Sequence, residues 1–236
     1  MSGRITDLAV NAQDPTEFYA ASADGGVWKT TNGGTTWRPV WDDGTVHSVG
    51  ALAMDPREPR TVWIGTGEAT NRQSSGWGDG VYRTTDGGRT WAHMGLRETR
   101  HIARIVVDPR NSDVVYVASP GDLWKASANR GLYKTTDGGR TWNRILGGDS
   151  LTGVVDVIVD PSAPDIVYAA TYQRMRKPFG YVGGGPGSGL HRSTDGGRTW
   201  TRLGNGLPTG TIGRIGIDIY RADPRIVYVS VEQGER

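Results

Sequence analysis

Cysteine is absent from the 236 residues, which excludes a disulfide framework and a thiolate metal site and leaves the redox compartment open. Charge of one sign is scarce too. Lys and Arg number 27 against 25 Asp and Glu, a net +2, too small and too evenly spread to mark a nucleic-acid or anionic-membrane surface. No apolar run reaches the ~18 residues of a transmembrane helix. The opening Met1-Ser2-Gly3-Arg4-Ile5-Thr6-Asp7 lacks the apolar core of a secretory signal, so either the protein is cytosolic or a processed segment is missing. Helix-compatible stretches are also rare, because 36 Gly and 12 Pro punctuate the chain and cost about 1 and 3 kcal/mol inside a helix. Wholesale disorder is excluded from the other side: 36% of the residues are hydrophobic and 9 are Trp, enough for a packed core.

What is present is a repeat. TTNGGTTW at 30–37 returns as TTDGGRTW at 84–91 and 135–142 and as STDGGRTW at 193–200, a period of about 50 residues. The same grammar precedes each copy. It is clearest as Ile105-Val106-Val107-Asp108-Pro109, then Val114-Val115-Tyr116-Val117-Ala118, then Gly131-Leu132-Tyr133-Lys134. Proline has no amide proton for a ladder, so Asp-Pro ends the first strand and opens a turn at Asp55, Asp108 and Asp160. The β-branched and aromatic second run reads as a buried strand, and a fourth strand starts at the Trp of the repeated string. Each unit is therefore four short strands, A to D.

Four-stranded units at this period predict an all-β fold, a β-propeller of antiparallel four-stranded blades. The expected blades run approximately 4–41, 46–95, 101–147 and 153–204, with a partial fifth over 213–236 that holds only strands A and B. The whole of 1–236 is then a single module, an open arc cut from a longer propeller. Within the repeated string, Asp86, Asp137, Asp195 and Asn32 read as turn ties that accept hydrogen bonds from nearby amides. Trp37, Trp91, Trp142 and Trp200 read as packing residues beneath the turns.

In an up-and-down blade the C-to-D turns share one face with the A-to-B turns, so a ligand face made of variable loops belongs opposite, on the B-to-C side. Three B-to-C loops are long: 67–80, 119–131 and 171–189. Long loops without regular structure are often functional. Their candidate ligand-binding residues are Glu68, Arg72, Trp77, Asp79, Trp124, Arg130, Tyr172 and Arg174, with Asn71, Asp122, Lys125, Arg176, Lys177, Phe179 and Tyr181 beside them and His47, Arg100 and His101 on the same face. Rings beside charges and amides suit peptide or carbohydrate, since ring faces stack while polar groups orient. Solvated covering loops are the alternative reading. The four His are scattered, so no metal set is expected, and no cofactor motif occurs. The glycine run 183–189 lacks the Lys-Ser/Thr ending of a phosphate loop and reads as a flexible spacer.

The eight-residue string resembles the Asp-box, or BNR repeat, Ser/Thr-x-Asp-x-Gly-x-Thr-Trp. Over nearly its whole length the chain is most similar to bacterial sortilin-like and BNR-repeat glycosyl hydrolase-like proteins. That likeness runs through Gly65 to Glu68, His93-Met94-Gly95-Leu96 with His101-Ile102-Ala103-Arg104-Ile105, and Gly184 to Gly189. The resemblance implies a longer, exported protein, periplasmic or extracellular, and a propeller that binds peptide or glycan through its B-to-C face. It carries a second implication, a fragment of a glycoside hydrolase of the xyloglucanase or sialidase-like type. The sialidase Phe/Tyr-Arg-Ile-Pro motif is missing. Asp24-Gly25-Gly26-Val27-Trp28 is similar, one residue short, to the run that follows a catalytic Asp in xyloglucanases. Asp24 is thus the one catalytic candidate by resemblance, and a tight-turn residue by context. The second acid of that family comes from another propeller.

Overall fold

A computed structural model describes residues 4–70 and 72–233. Strands β1 (Ile5–Val10), β2 (Phe18–Ser22), β3 (Val27–Thr30) and β4 (Arg38–Pro39) form one antiparallel sheet in that order. The same order builds a second sheet from β5 (Val49–Met54), β6 (Val62–Thr66), β7 (Val81–Thr84) and β8 (Ala92–His93), and a third from β9 (Arg104–Asp108), β10 (Asn111–Ser119), β11 (Gly131–Thr135) and β12 (Asn143–Leu146). The fourth contains β13 (Thr152–Val159), β14 (Val167–Lys177), β16 (Gly189–Ser193) and β17 (Thr201–Leu203), with β15 (Gly180–Gly183) folded back on the end of β14. β18 (Ile212–Ile219) and β19 (Val227–Gln233) pair as a two-stranded sheet. A single 3-10 turn, Arg97–Thr99, is the only helix among the described residues.

The inner strands β1, β5, β9, β13 and β18 pack one on the next and line a central cavity of about 300 Å³. Asp7 Oδ2 accepts the Leu52 amide at 2.9 Å and Asp156 Oδ2 accepts that of Ile217 at 2.8 Å, each tying its inner strand to the following one. Arg104 reaches both carboxylates, at 3.9 and 3.8 Å.

Four apolar cores lie between successive sheets rather than within one. Tyr19, Ala21 and Val27 of the first sheet meet Val49, Leu52 and Ile64 of the second, and Trp63 and Val81 of the second meet Ile105, Val115 and Val117 of the third. Tyr116 and Leu132 then meet Val157 and Val167, and Tyr172 and Leu190 meet Ile215 and Ile217. Alternation along each strand produces this, because odd and even residues face opposite neighbours.

Each repeated string is tied by its own acid or amide. Asp86 accepts the amides of Arg89 and Thr90 at 2.9 and 3.0 Å and the hydroxyls of Thr84 and Thr90. Asp137 and Asp195 repeat the pattern. Asn32 keeps one amide bond, from Thr36, and donates to the Thr36 hydroxyl. These donors hold the pKa of all three Asp residues far below the ordinary carboxylate range, the Thr90 amide leading for Asp86 and the hydroxyls of Thr141 and Thr199 for Asp137 and Asp195. Asp55, Asp108 and Asp160 likewise accept the amide two residues ahead. We expect Asp137→Ala to lower Tm and Asp137→Asn, which copies the first box, to lower it by less than half as much. Equal losses in calorimetry would show that the carboxylate, not the shape of the turn, is required.

The tryptophans differ from the expectation of packing under their own turns. Trp91 Nε1 donates to the Val40 carbonyl at 2.7 Å and Trp142 Nε1 to that of Met94 at 2.6 Å, both on the preceding sheet. Only Trp200 bonds to its own box, at Gly197 O. Trp37 lies edge-on to Phe18 at 5.2 Å.

The long third loop is also more ordered than expected. β14 continues to Lys177 and returns as β15, with Arg174 opposite Gly183 and Arg176 opposite Tyr181. The glycine run is not a loose spacer, since Gln173 binds Gly187 N through Oε1 at 2.9 Å and donates its own amide to Ser188 Oγ at 3.0 Å.

Candidate functional site

The B-to-C loops and the connections between sheets do share one face. Gly67 N donates to Ser48 O at 2.8 Å and Gly78 N to Arg100 O at 2.8 Å, so the first long loop is stitched to the connections on either side of its sheet. Gly67 has φ +85, and a Cβ there would lie 2.1 Å from Arg100 O; only glycine allows this approach. Arg176 N donates to Leu123 O at 3.0 Å, which ties the third loop to the second.

Burial sorts the candidates. Glu68 has no exposed side chain. Arg4 grips both its oxygens, at 2.9 and 2.6 Å, and Thr70 donates to one of them. Burial works against its charge, but Arg4, Thr70 and Arg72 outweigh this and hold the pKa below the ordinary value. Asp79 accepts from the hydroxyls of Thr45 and Tyr82 at 2.8 and 2.7 Å and pairs with Arg97 at 3.5 Å, a loop tie rather than a free carboxylate. Tyr172 is fully buried in the fourth core. Trp124 is half-buried and Arg72 exposed, and Asn71 lies outside the described residues.

Phe179 (91%), Trp77 (58%) and Tyr181 (38%) are the exposed rings among the loop candidates, and Trp77 has the Arg100 guanidinium 5.6 Å from its centre. Arg100 holds φ 65, an uncommon conformation for a residue with a side chain. Asp24 lies beside Gly76, the residue before Trp77, while the carboxylate nearest Arg100 is Glu98 at 3.9 Å. A methyl group on Gly76 would be 2.8 Å from Asp24 Oδ1, and Arg4 approaches its other oxygen at 3.7 Å. Exposed ring and guanidinium thus meet where the first long loop touches the connection from the second sheet to the third, and the exposed carboxylate lies on the other side of that loop, towards the first sheet.

Arg130 and Arg174 are different: 0% and 1% exposed. Arg130 Nη2 donates to Asp122 O at 2.5 Å and Lys125 O at 3.1 Å, but its Nε and Nη1, and all three nitrogens of Arg174, have no hydrogen-bond partner. Burial and the charge of Arg174 push the Arg130 pKa down to about 10. His101, also buried, is brought down to about 4, chiefly by burial; its Nδ1 lies 3.0 Å from Gly121 O, so Nδ1 carries the proton that bonds there. A separate cavity of about 630 Å³, lined by Trp41, Asp42, Asp43, Tyr82, Arg89 and Trp91, lies where the first two sheets meet and includes none of the ligand-binding candidates.

Sheets of four antiparallel strands succeeding one another around an axis define the class, and solved β-propeller proteins match it. An ancestral GH74 enzyme aligns over 91% of this chain and 27% of its own, at TM-score 0.67 and 20% identity. The Niastella koreensis GH74 enzyme aligns over 83% and 28%, at TM-score 0.62 and 24% identity. The model of the Sortilin-Vps10 family, described as sortilin, neurotensin receptor 3, matches residues 79–234, and the chain belongs to that family. Among curated proteins it is 29% identical over 237 residues to a xyloglucanase of Paenibacillus sp, covering 91% of this chain and 22% of that protein. It is 30% identical over 159 residues to a xyloglucanase of Hypocrea jecorina, covering 61% and 17%. The chain thus spans about a quarter or less of the length of the curated relatives it matches. No helix among the described residues is long and apolar enough to cross a membrane.

Proposed function

We propose that this chain is a carbohydrate-binding part of a longer Asp-box propeller protein, and that its B-to-C face binds a β-glucan backbone of the xyloglucan type. The observation that carries the reading is the exposed Trp77 ring with Arg100 over it, on the loop whose Gly76 adjoins Asp24. A sugar stacks its apolar face on such a ring, while the guanidinium and carboxylate take its hydroxyls. The xyloglucanase relatives support the glycan class. By the same likeness the chain is a segment of a glycoside hydrolase, with Asp24 as its one catalytic candidate. Hydrolysis of this kind needs two carboxylates flanking the bond, so the segment by itself binds and does not cleave.

Affinity electrophoresis in xyloglucan tests this. The 236-residue protein is expected to be retarded, and Trp77→Ala to weaken binding at least tenfold, about 1.4 kcal/mol. Unretarded migration, or equal retardation of the variant, would remove the ring from the site. Asp24→Asn is expected to leave retardation within twofold and to abolish hydrolysis in the longer protein; hydrolysis that survives it would remove Asp24 from the chemistry.

A peptide ligand is favoured by one observation. The two guanidiniums hold unused donors, and a carboxylate-bearing ligand would satisfy them once the loops that bury them are displaced. Peptide binding lost in Arg174→Gln and kept in Trp77→Ala would support that second reading.

A further inference from the structure

Where the second long loop meets the fourth sheet, positive charge is enclosed around the turn 119–123 with no ion to balance it. Arg130 lies on one side of Gly121, its Cγ 2.3 Å from where a Cβ on that glycine would stand, and His101 Nδ1 lies 3.0 Å from the Gly121 carbonyl. The fourth sheet closes the other side. A Cβ on Gly153 would be 2.5 Å from Pro120 Cα, and the amides of Arg174 and Arg176 donate to Leu151 O and Leu123 O at 3.1 and 3.0 Å. Arg174 thus stands on the strand that packs against this turn, close enough to lower the pKa of both Arg130 and His101.

A guanidinium cannot shed its charge near neutral pH, and both of these are cut off from water. Five of their six nitrogens, Arg130 Nε and Nη1 and all three of Arg174, have no hydrogen-bond partner. Among the described residues neither side chain is in an ion pair. Asp122 and Asp149 act on Arg130 from a distance, but their oxygens are engaged elsewhere. Asp122 accepts the Trp124 amide at 2.9 Å and lies 3.9 Å from Lys125 Nζ, and Asp149 accepts the amides of Leu151 and Thr152, both at 2.7 Å. Like charges buried without a counter-ion are strongly destabilising, so the donors call for one.

We infer that Arg130 and Arg174 enclose a binding site for a small monovalent inorganic anion of the halide class, chloride in ordinary solutions. The enclosure selects its size. No opening is left for a ligand with a body, whereas a single-atom ion enters during a brief local opening of the loop. A halide also accepts N–H donors from any direction, so guanidiniums from two separate elements can share it. The bound ion then pins the second long loop to the end of β14. This inference rests on neither the glycan nor the peptide reading; a peptide carboxylate would have to displace the ion.

The test follows thermal unfolding of the 236-residue protein at constant ionic strength in sodium gluconate, whose anion is too large for the enclosure, as chloride or bromide replaces it. Chloride binding is read independently from the ³⁵Cl line width. Each halide is expected to raise Tm saturably, by roughly 3 °C or more at ten times its Kd, and the protein to broaden the ³⁵Cl line in a way that bromide reverses. Arg174→Met, which keeps an unbranched stem and removes one charge, is expected to lose both responses and, in gluconate, to melt no lower than the wild type. Arg225→Met, at an exposed guanidinium, is expected to keep them in full. A wild-type Tm indifferent to the anion, with no reversible line broadening, would mean that water alone meets these donors and would overturn the site. So would a halide response undiminished in Arg174→Met, which would place the ion elsewhere. Lower melting of Arg174→Met in gluconate would show the charge already balanced by the protein and would count equally against it.

Discussion

Trp63→Ala is expected to cost about 3–5 kcal/mol, the range for emptying a fully enclosed tryptophan site, and to lower Tm by about 10 °C. Trp63 has no exposed surface. It meets Trp142 of the next sheet edge-on at 6.2 Å, carries Arg83 over its face and lies under the box glycine Gly139, where a Cβ would stand 2.8 Å from the indole. The space left by Ala cannot close, because the third sheet is already fixed at Met94 by Trp142. Trp37→Ala is the internal comparison. It occupies the same place in the repeat as Trp142 and is half-buried like it, but its one ring contact, Phe18, is in its own sheet, so about 1 kcal/mol is expected. Denaturant unfolding of the two variants measures the difference. Comparable losses would show that the contact between sheets, which distinguishes the two sites, is not where the stability resides.

Acid is expected to weaken the protein in two separate windows. His101 is held neutral by burial, with a folded pKa of about 4 against about 6.5 unfolded. Below pH 6.5 the unfolded chain takes up a proton that the folded chain refuses, so stability falls from about pH 6.5 down to about 4, by up to about 3 kcal/mol. The box residues Asp86, Asp137 and Asp195 act lower. Their folded pKa values are depressed, so their contribution is complete above the unfolded value near 4 and is lost as pH falls beneath it. Asp7 and Asp156, whose pKa values burial raises, oppose the trend above pH 4. The difference between the wild type and His101→Asn isolates the imidazole, because Asn can still donate to Gly121 O. A flattened slope between pH 6.5 and 4 in the variant is expected; parallel curves would place the protonation elsewhere.

The repeat made much of this fold legible. Asp-Pro turns, β-branched runs and the four boxes mark out the strands of antiparallel four-stranded sheets. They do so because each signal is local: a missing amide proton, a carboxylate that bonds four residues ahead. The cation before each of the first three boxes is equally periodic in sequence, Lys29, Arg83 and Lys134, yet its partner, a glycine carbonyl of the next box, is in the following sheet, so its purpose shows only once the sheets are packed. The surroundings of the loop candidates were not legible in the sequence. Glu68, Arg130, Tyr172 and Arg174 look like solvent-facing loop residues in the sequence and are buried by contacts that come from neighbouring connections. Arg100 gave no signal of its left-handed backbone, which is imposed by its place next to Gly67 and Gly78. Trp77 was legible because an indole in a glycine-rich loop has few ways to be covered.

The central claim, a glycan on the ring at the first step of the propeller, is tested most directly by the nine tryptophan indole resonances in an ¹⁵N-labelled sample titrated with a xyloglucan oligosaccharide. Assigned by single substitution, the Trp77 indole is expected to shift saturably while Trp63 and Trp142 stay in place. An unmoved Trp77 signal at millimolar sugar, or shifts confined to Trp41 and Trp91 around the 630 Å³ cavity, would contradict it.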